Sequence, residues 1–304
     1  MKIIKPSGVL IPNPNPLNVL KFIEGYGRTA YQSYDKITED SADRFCKMIL
    51  DSGHHAVFEC VHYTIQQPYT SYKQKEIVEL HPHLTVKVYD DYIYIGGSLK
   101  TWTENKEGNV YTDSAISAFK EVSKFVPDIF KDMVFPRNIK PDDIVCSVLT
   151  REKDIPEAIF PDLVVAVVRF VADRGVSHEL VRHRKCAYLQ ESTRYCNYSK
   201  GKYGNQISVI QPPFNKIEEL DEWETICRTI EESYLLLISK GVKPQIARSI
   251  LPNCLKTEIK TVASLTQWKY MLNLRLYNER AHPQMREIMK FAEKELISHY
   301  PKFF

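Results

Sequence analysis

The sequence predicts an α+β protein in which a mixed sheet is flanked by helices. Short apolar or alternating segments typical of strands are interspersed with longer segments that have helical spacing, without a regular βαβ alternation. The chain has 304 residues, of which 43% are hydrophobic and 26% charged, as in ordinary globular proteins. This length is large for one domain but does not require two.

The charge and hydropathy of the chain argue against nucleic acid or a membrane as its main partner. A net charge of +3 is too small for bulk nucleic-acid binding, so any positive field must be local. The first residues lack the apolar run of a signal peptide. The longest apolar segment, residues 163–168, is far shorter than the about 20 residues that cross a bilayer.

The cysteines predict a reducing compartment. Their number is seven, which is odd, and no two have C-x-x-C spacing. Reduced thiols fit this usage better than a disulfide framework or a zinc ribbon, so we expect a cytoplasmic protein.

Two helices and a strand are predicted in the first 65 residues. Apolar residues at helical spacing indicate a helix from Pro14 to about Gly27, where glycines end the pattern. A second helix is expected from Ser41, as N-cap, to Gly53. Residues 54–60 then lead polar groups into a strand over residues 61–65.

Residues 66–160 are less regular. Residues 84–88 and 92–95 alternate around Asp90-Asp91, which predicts a β-hairpin. A helix capped by Asp113 and broken at Pro127, and a strand over residues 144–149, are also expected.

The second half of the chain is predicted to be mostly helical. A strand over residues 163–171 is followed by a turn over Asp173 to Ser177 into a short helix, and that helix leads to Arg182-His183-Arg184. Further on, a strand over 207–210 precedes helices over 220–240, 244–252, 264–275 and 283–297.

A polar motif follows the apolar strand. Four cationic residues, Arg182-His183-Arg184-Lys185, are followed by the cluster Gln190-Glu191-Ser192-Thr193-Arg194-Tyr195. Arginine forks and directional side-chain hydrogen bonds suit a phosphate or the edge of a heterocycle. The motif therefore indicates an anionic ligand, although a solvated basic helix would explain the same charges.

Two more arginines lie on apolar helical segments near the end of the chain. Arg248 lies within residues 246–252, and Arg275 ends the segment 272–275. An arginine on an apolar face needs a carboxylate or a ligand, and the sequence leaves both open.

Several further chemistries have less support. No G-x-G-x-x-G, P-loop or G-x-S-x-G motif is present. His54, His55, Cys60, His62, His81 and His83 supply metal-ligand types, but their spacing fits no common metal site, and we expect no metal. A nucleophilic thiol is conceivable at Cys186 or Cys196, and residues 182–185 could bind nucleic acid together with Tyr188 and Tyr195.

The polar motif resembles the signature of flavin-dependent thymidylate synthases, R-H-R-x-x-S-x-N-[EQ]-x-S-x-R-Y, over residues 182–195. The resemblance extends to residues 53–59, which are similar to the family's G-H-x-[ST]-x-x-E-H segment. It also covers the lead-in 173–181 and the distal segments 246–252, 272–275 and 281–288.

The resemblance implies one domain over residues 1–304, with a less regular insertion at about 66–160. It implies reductive methylation of dUMP to dTMP, with methylenetetrahydrofolate as carbon donor, FAD as redox mediator and NADPH as reductant. It further implies a homotetramer whose active sites lie between subunits.

The resemblance also implies a set of site residues. Arg275 is the expected catalytic residue, because it occupies the position that polarises the uracil. The expected dUMP contacts are Glu179, Arg182, Gln190, Glu191, Ser192, Thr193, Arg194, Arg248 and Arg275. The expected FAD contacts are Ser33, His54, Glu59, Arg182, His183, Arg184, Gln190 and Ser264.

Several positions depart from the family pattern, mostly on the flavin side. Ala187 and Leu189 replace a Ser and an Asn, Cys60 replaces a His, and Ala56 replaces a Ser or Thr. Ser264 and Thr266 stand where the family usually has an Asn and an Arg that reach the flavin. We therefore predict weaker FAD binding, or a shifted adenine end, with the uracil chemistry intact. Two further hypotheses are a homologue that hydroxymethylates dUMP and one that binds nucleotide or RNA without catalysis.

Overall fold

The computed structural model describes residues 1–14, 18–69, 83–104, 113–134 and 145–304, without the side chains of 113–115 and 132. Its strands are β1 Lys2–Ile4, β2 Ser7–Ile11, β3 His62–Pro68, β4 Thr85–Tyr89, β5 Tyr92–Ser98, β6 Ser147–Leu149, β7 Val165–Asp173, β8 Ala187–Gln190, β9 Ser208–Ile210 and β10 Lys256–Ser264. Its α-helices are α1 Val19–Tyr31, α2 Ser41–Asp51, α3 Leu99–Thr103, α4 Asp113–Ser123, α5 Asp128–Val134, α6 Phe160–Leu163, α7 Arg174–Leu180, α8 Ile217–Ser239, α9 Pro244–Ala247, α10 Leu265–Leu272 and α11 Pro283–His299. His81 and the start of the strand predicted at 144 lie outside the described residues.

The first sheet has the strand order β2-β7-β10-β8, and all its pairings are antiparallel. Strand β10 lies between β7 and β8, so that Ile259 pairs with Phe170 on one side and with Gln190 on the other. The polar motif therefore enters the sheet as its edge strand, directly beside the longest pairing of the fold.

The second sheet has the order β4-β5-β3-β6 and is also antiparallel. Its β4–β5 hairpin turns at Asp90-Asp91, between the paired Tyr89 and Tyr92, and this confirms the predicted hairpin. The pair β1–β9 is parallel. The α+β class is confirmed. Parallel and antiparallel pairings both occur, but they lie in separate sheets and no described sheet contains both.

Apolar packing holds the two sheets together. One cluster packs β7 and β10 against α10 and α11, where Trp268 donates to the carbonyl of Ala166 at 3.1 Å. A second cluster joins the other face of the first sheet to the second sheet, and it includes both Val262 and Ile95. The two sheets, which form the walls of any cavity between them, are therefore held in a fixed relative position.

The predicted end of the first helix at Gly27 is wrong. Helix α1 continues to Tyr31, and Gln32 then takes a left-handed conformation with φ of 46°. Gly27 lies inside the helix. A glycine fits there because a Cβ would be 2.7 Å from the ring of Phe45. The glycine serves close packing of α2 on α1 and does not end the helix.

Strand β10 was not predicted from the sequence, although it is central to the first sheet. Glu258 and Lys260 interrupt its apolar pattern, yet both side chains are buried beneath α1. Lys260 Nζ donates to the carbonyl of Gly25 at 2.6 Å, and the hydroxyl of Tyr34 donates to Glu258. Burial lowers the pKa of Lys260 to about 8.

None of the helices within the described ranges is long and apolar enough to cross a membrane.

Candidate functional site

The polar motif is positioned by the N-cap of α7 and by hydrogen bonds of the Tyr188 hydroxyl. Asp173 Oδ1 accepts a hydrogen bond from the amide of Val176 at 2.8 Å and so starts α7. At the other end of the helix, the Tyr188 hydroxyl donates to the carbonyls of Leu180 and His183 at 2.9 and 3.1 Å. The turn that carries residues 182–185 is thus fixed between α7 and β8.

A cavity of 390 Å³ lies between the two sheets. Glu59, Arg184 and Ser264, which were predicted as FAD contacts, all line it. The second sheet and α3 supply the opposite wall through His62, Thr85, Gly96, Gly97, Ser98 and Thr101. The segment 66–160 therefore contributes directly to this candidate site.

The carboxylates of the cavity are already compensated. Glu59 accepts from Lys100 Nζ at 2.9 Å, and Asp162 is paired with Lys87 Nζ at 2.6 Å. Burial favours a higher pKa for Asp162, but hydrogen bonds from Lys87 and Thr266 hold it below its usual value. The two acids therefore leave little free negative charge in the wall.

The cations Arg184 and Lys185 carry the remaining charge. Both side chains are exposed at the cavity, and neither forms an ion pair with any residue in the described ranges. Two cations without a carboxylate at contact distance favour an anionic group in the cavity.

His62 adds a neutral polar group to the same wall. Its Nδ1 is buried and has no hydrogen-bond partner among the described residues, and burial lowers the pKa of the ring to about 4. The neutral ring carries one N–H donor and one acceptor nitrogen. His62 then offers an uncharged polar group to the cavity at neutral pH.

Two residues at positions of family departure have contacts of their own within the protein. Ser264 Oγ accepts from the amide of Gln267 at 3.2 Å and caps α10, while Thr266 Oγ1 donates to Asp162 at 2.6 Å. The Ser264 side chain still lines the cavity.

Arg275 lies outside this cavity, in a π-helical turn over Asn273–Tyr277. Its Nε donates to Nε2 of His183 at 3.1 Å, and its Nη1 donates to Glu179 at 3.3 Å. Such widened turns inside helices are frequent at functional sites. The structure thus brings together the predicted catalytic residue, one predicted dUMP contact and one predicted FAD contact.

The remaining predicted nucleotide contacts form separate hydrogen-bonded pairs. Glu191 is buried and binds Lys256 Nζ at 2.7 Å and the Tyr198 hydroxyl at 3.1 Å. Arg248 Nη1 donates to Thr193 at 3.4 Å. These pairs hold the start of the segment after β8 against neighbouring elements.

Gln190 is engaged inside the first sheet. Its side-chain amide donates to the hydroxyls of Ser177 and Thr257 at 2.8 and 3.0 Å. The amide nitrogen of Gln190 is therefore already hydrogen-bonded within the protein.

A second hollow, of 470 Å³, is lined by two of the five predicted FAD contacts that the first cavity lacks. Ser33 and His54 line it together with Tyr31 and Tyr195. The two tyrosine rings lie 5.0 Å apart, and the guanidinium of Arg194 lies 5.4 Å from the Tyr195 ring centre.

The predicted site residues therefore fall into several groups on one chain. The backbone of Ser192 is tied to α1 through the carbonyl of Ala30, at 3.0 Å, while Arg182 is exposed and its side chain has no hydrogen bond within the described part of the chain. Among the hollows of the described residues, none contains all of the predicted contacts.

Sequence reasoning missed the cavity wall formed by the second sheet, chiefly His62 and Ser98, and the pairing of Glu59 with Lys100. The pair Gly96-Gly97 was the one indication of this wall in the sequence. In the structure, a Cβ at Gly97 would lie 2.7 Å from the side chain of Leu84. Glycines inside a strand mark a close approach of this kind.

The hypotheses of a reactive thiol or a metal site gain no support from the geometry. Burial raises the pKa of Cys186, and it raises that of Cys196 to about 11, so neither thiol is activated. Within the described ranges, no three His, Cys, Asp or Glu side chains are grouped to hold a metal ion.

The fold and the site define an α+β protein with an anion-favouring cavity between two antiparallel sheets. A family profile described as thymidylate synthase complementing protein matches residues 162–302. The flavin-dependent thymidylate synthase of Pyrococcus furiosus is 34% identical over 116 residues, covering 38% of this chain and 47% of that protein. The corresponding protein of Saccharolobus solfataricus is 30% identical over 131 residues, covering 43% and 48%.

Two solved structures are also similar. Thymidylate synthase X from Helicobacter pylori, crystallised with FAD and dUMP, has 17% identity and a TM-score of 0.39, covering 48% of this chain and 74% of that one. The UMP/dUMP methylase PolB from Streptomyces cacaoi, bound with 5-Br dUMP, has 20% identity and a TM-score of 0.37, covering 46% and 66%.

The similarity to flavin-dependent thymidylate synthases thus rests on residues 162–302, which hold the arginine-rich motif and Arg275. The chain spans about half the length of the curated relatives it matches.

Proposed function

We propose that the protein is an FAD-dependent thymidylate synthase that converts dUMP to dTMP. Methylenetetrahydrofolate would donate the carbon, and NADPH would be the reductant. The observation that carries the proposal is that Glu59, Arg184 and Ser264, which come from three distant parts of the chain, line one cavity. Each of them was expected to contact the flavin.

The donor set of this cavity suits a flavin nucleotide. Arg184 and Lys185 can compensate a pyrophosphate, while the neutral His62 can donate to an uncharged acceptor. When bound, the flavin supplies the hydride chemistry, and the protein supplies orientation and electrostatics. The ion pair of Glu59 with Lys100 keeps that carboxylate from repelling the phosphates.

Arg275 suits the nucleotide half of the reaction. A fixed cation beside the uracil would stabilise negative charge as the N3 proton is lost, which makes C5 nucleophilic. Glu179 and His183 hold the guanidinium in place. Arg194, Arg248 and Ser192 would bind the rest of dUMP, with Arg194 and the Ser192 region at its phosphate.

We further propose a homotetramer in which each active site is shared between subunits. The division of the site residues among separate hollows supports this, because one chain presents only parts of a pocket. The exposed side chains Tyr270, Leu274 and Tyr277, spaced along one face beside Arg275, also support a contact with another chain. The seven cysteines, all within the described ranges, form no disulfide, which supports a cytoplasmic location.

The test is to incubate the purified protein with dUMP, methylenetetrahydrofolate, FAD and NADPH and to analyse the nucleotides by mass spectrometry. The expected product is dTMP, and its formation should require all four components. A product heavier by one oxygen would instead indicate 5-hydroxymethyl-dUMP. Bound flavin without any nucleotide product would contradict the proposal, and a protein that takes up no flavin would favour a non-catalytic homologue.

A further inference from the structure

We propose that His183 is a positioning residue that holds Arg275 in its working orientation, and that it does so only as the neutral imidazole. This inference rests on the proposed function, in which Arg275 acts on the nucleotide. It assigns His183 a part on the uracil side of the reaction, through the arginine, besides the flavin contact expected from the motif.

The contact between the two side chains fixes which form of the histidine is required. Arg275 Nε donates to His183 Nε2 at 3.1 Å, so Nε2 must carry a lone pair and the proton must be on Nδ1. A protonated ring would present an N–H to the guanidinium and would add a second positive charge. Both effects would release Arg275.

His183 and Glu179 hold Arg275 through contacts that differ in burial. The Arg275–Glu179 contact is 3.3 Å, and the two side chains are 23% and 31% exposed, so the ion pair is screened by water. His183 is only 7% exposed and accepts from Arg275 at 3.1 Å, while Glu179 contacts the guanidinium through its carboxylate and, at 3.5 Å, through its carbonyl. The imidazole is therefore the more buried partner of Arg275.

The surroundings of His183 favour the neutral ring. Arg275 faces it from the π-helical turn, the Tyr270 ring stands edge-on at 6.3 Å, and the Tyr188 hydroxyl binds its carbonyl. The carboxylate of Glu179 is directed to Arg275. Burial and the charge of Arg275 lower the pKa of His183 from its ordinary value of 6.5.

The lowered pKa of His183 determines how activity should depend on pH. Above the lowered pKa the ring is neutral and accepts from Arg275, so activity is retained at neutral and alkaline pH. As pH falls through the pKa of His183, the ring gains a proton and activity is lost. The acid limb of kcat/KM should therefore lie below pH 6.5, the ordinary value.

The experiment compares His183→Gln, whose side-chain oxygen can reach the position of Nε2 and accept there, with His183→Phe, which keeps a ring but has no acceptor. His178→Gln is the matched control, because His178 is exposed on α7, the helix that precedes the turn with His183. We expect kcat/KM of His183→Phe to lie roughly tenfold to hundredfold below wild type at neutral pH, and the difference to shrink in acid as wild type loses activity. His183→Gln should retain more of kcat/KM than His183→Phe at neutral pH and should lose the acid limb.

A second readout does not depend on turnover. In a proton–nitrogen spectrum, the Arg275 Nε–H signal, identified by its loss in Arg275→Lys, should exchange slowly and shift as His183 titrates. In His183→Phe that protection should disappear.

The proposed function and the positioning role can fail separately. If wild type makes no dTMP but the Arg275 signal behaves as described, the proposed function fails and the positioning role stands. If dTMP forms and His183→Phe retains the wild-type rate and acid limb, the positioning role is overturned. An Arg275 signal that is equally protected in His183→Phe would overturn it as well.

Discussion

Lys100 donates a hydrogen bond to Glu59 across 2.9 Å, and this pair connects α3, which follows the second sheet, to the cavity beside the arginine-rich motif. Burial favours a lower pKa for Lys100, but its bonds to Glu59 raise the pKa above the usual value. The segment 66–160 thus supplies a charge to the candidate flavin site.

Replacing Lys100 by Met should weaken FAD binding roughly threefold to tenfold, because Glu59 would lose its partner and repel the anionic cofactor. The expected size is modest, since partly exposed pairs contribute about 1 kcal/mol or less. Fluorescence titration with FAD measures the change. Lys124→Met, which removes a surface partner of Glu121 on α4, is the control and should leave FAD binding unchanged. An equal effect of both variants would show that Lys100 has no special role.

Replacing Ser264 by Asn should strengthen FAD binding, because Asn is the residue usual in the family at this cavity position. The cap of α10 should survive, since Asn caps helices as well as Ser does. Ser264→Ala is the matched comparison. It should lower the free energy of unfolding by about 1 kcal/mol without tightening FAD binding. Unchanged affinity in Ser264→Asn would argue against contact between this position and the flavin.

Lys256 should be essential for stability, because it compensates the buried carboxylate of Glu191 at 2.7 Å. We expect Lys256→Met to lower the free energy of unfolding by about 3–5 kcal/mol. The double variant Lys256→Met/Glu191→Gln should recover much of this loss, since the neutral amide still accepts from Tyr198. Denaturant unfolding of the single and double variants measures the coupling, and additive losses would contradict it.

His62 should make the folded protein sensitive to acid. Its pKa is about 4 in the folded chain and 6.5 ordinarily, so the unfolded chain binds more protons between these values. Stability from this residue is therefore complete above pH 6.5 and is lost as pH falls toward 4, by at most about 3 kcal/mol.

The His62 contribution is isolated by subtracting the unfolding free energies of His62→Phe from those of wild type at each pH. The difference should change by up to about 3 kcal/mol between pH 7 and pH 4. His299→Phe, at the exposed end of α11, should show no comparable change. A pH-independent difference for His62→Phe would mean that the ring does not titrate with a lowered pKa.

The sequence was most informative where local patterns and tertiary packing agree. The hairpin around Asp90-Asp91 follows from alternation and a two-residue turn, and the cap of α7 by Asp173 follows from its side chain. These features depend on neighbours in the chain, so they were predictable.

The parts that could not be predicted depend on distant contacts. Strand β10 was missed because Glu258 and Lys260 look like surface residues, although Tyr34 and Gly25 satisfy them under α1. The extension of α1 past Gly27 requires knowing that Phe45 packs there. The contribution of Lys100 and His62 to the cavity likewise exists only once the second sheet is placed.

The arrangement of the site was only partly predictable for the same reason. The resemblance identified Arg184 and Arg275 as site residues, but spacing alone could not show that they lie in different groups. That separation depends on the antiparallel pairing of β8 with β10 and on the widened turn after α10.

The central claim is that the cavity between the two sheets holds the flavin, and Ala187 in its wall tests this most directly. The measurement is the change in visible absorbance of FAD on titration into wild type, Ala187→Ser and Ala187→Phe, with folding checked by circular dichroism. We expect saturable binding to wild type, tighter binding to Ala187→Ser, and a loss of at least about tenfold, or about 1.4 kcal/mol, in Ala187→Phe. Wild-type affinity in a folded Ala187→Phe protein would contradict the claim.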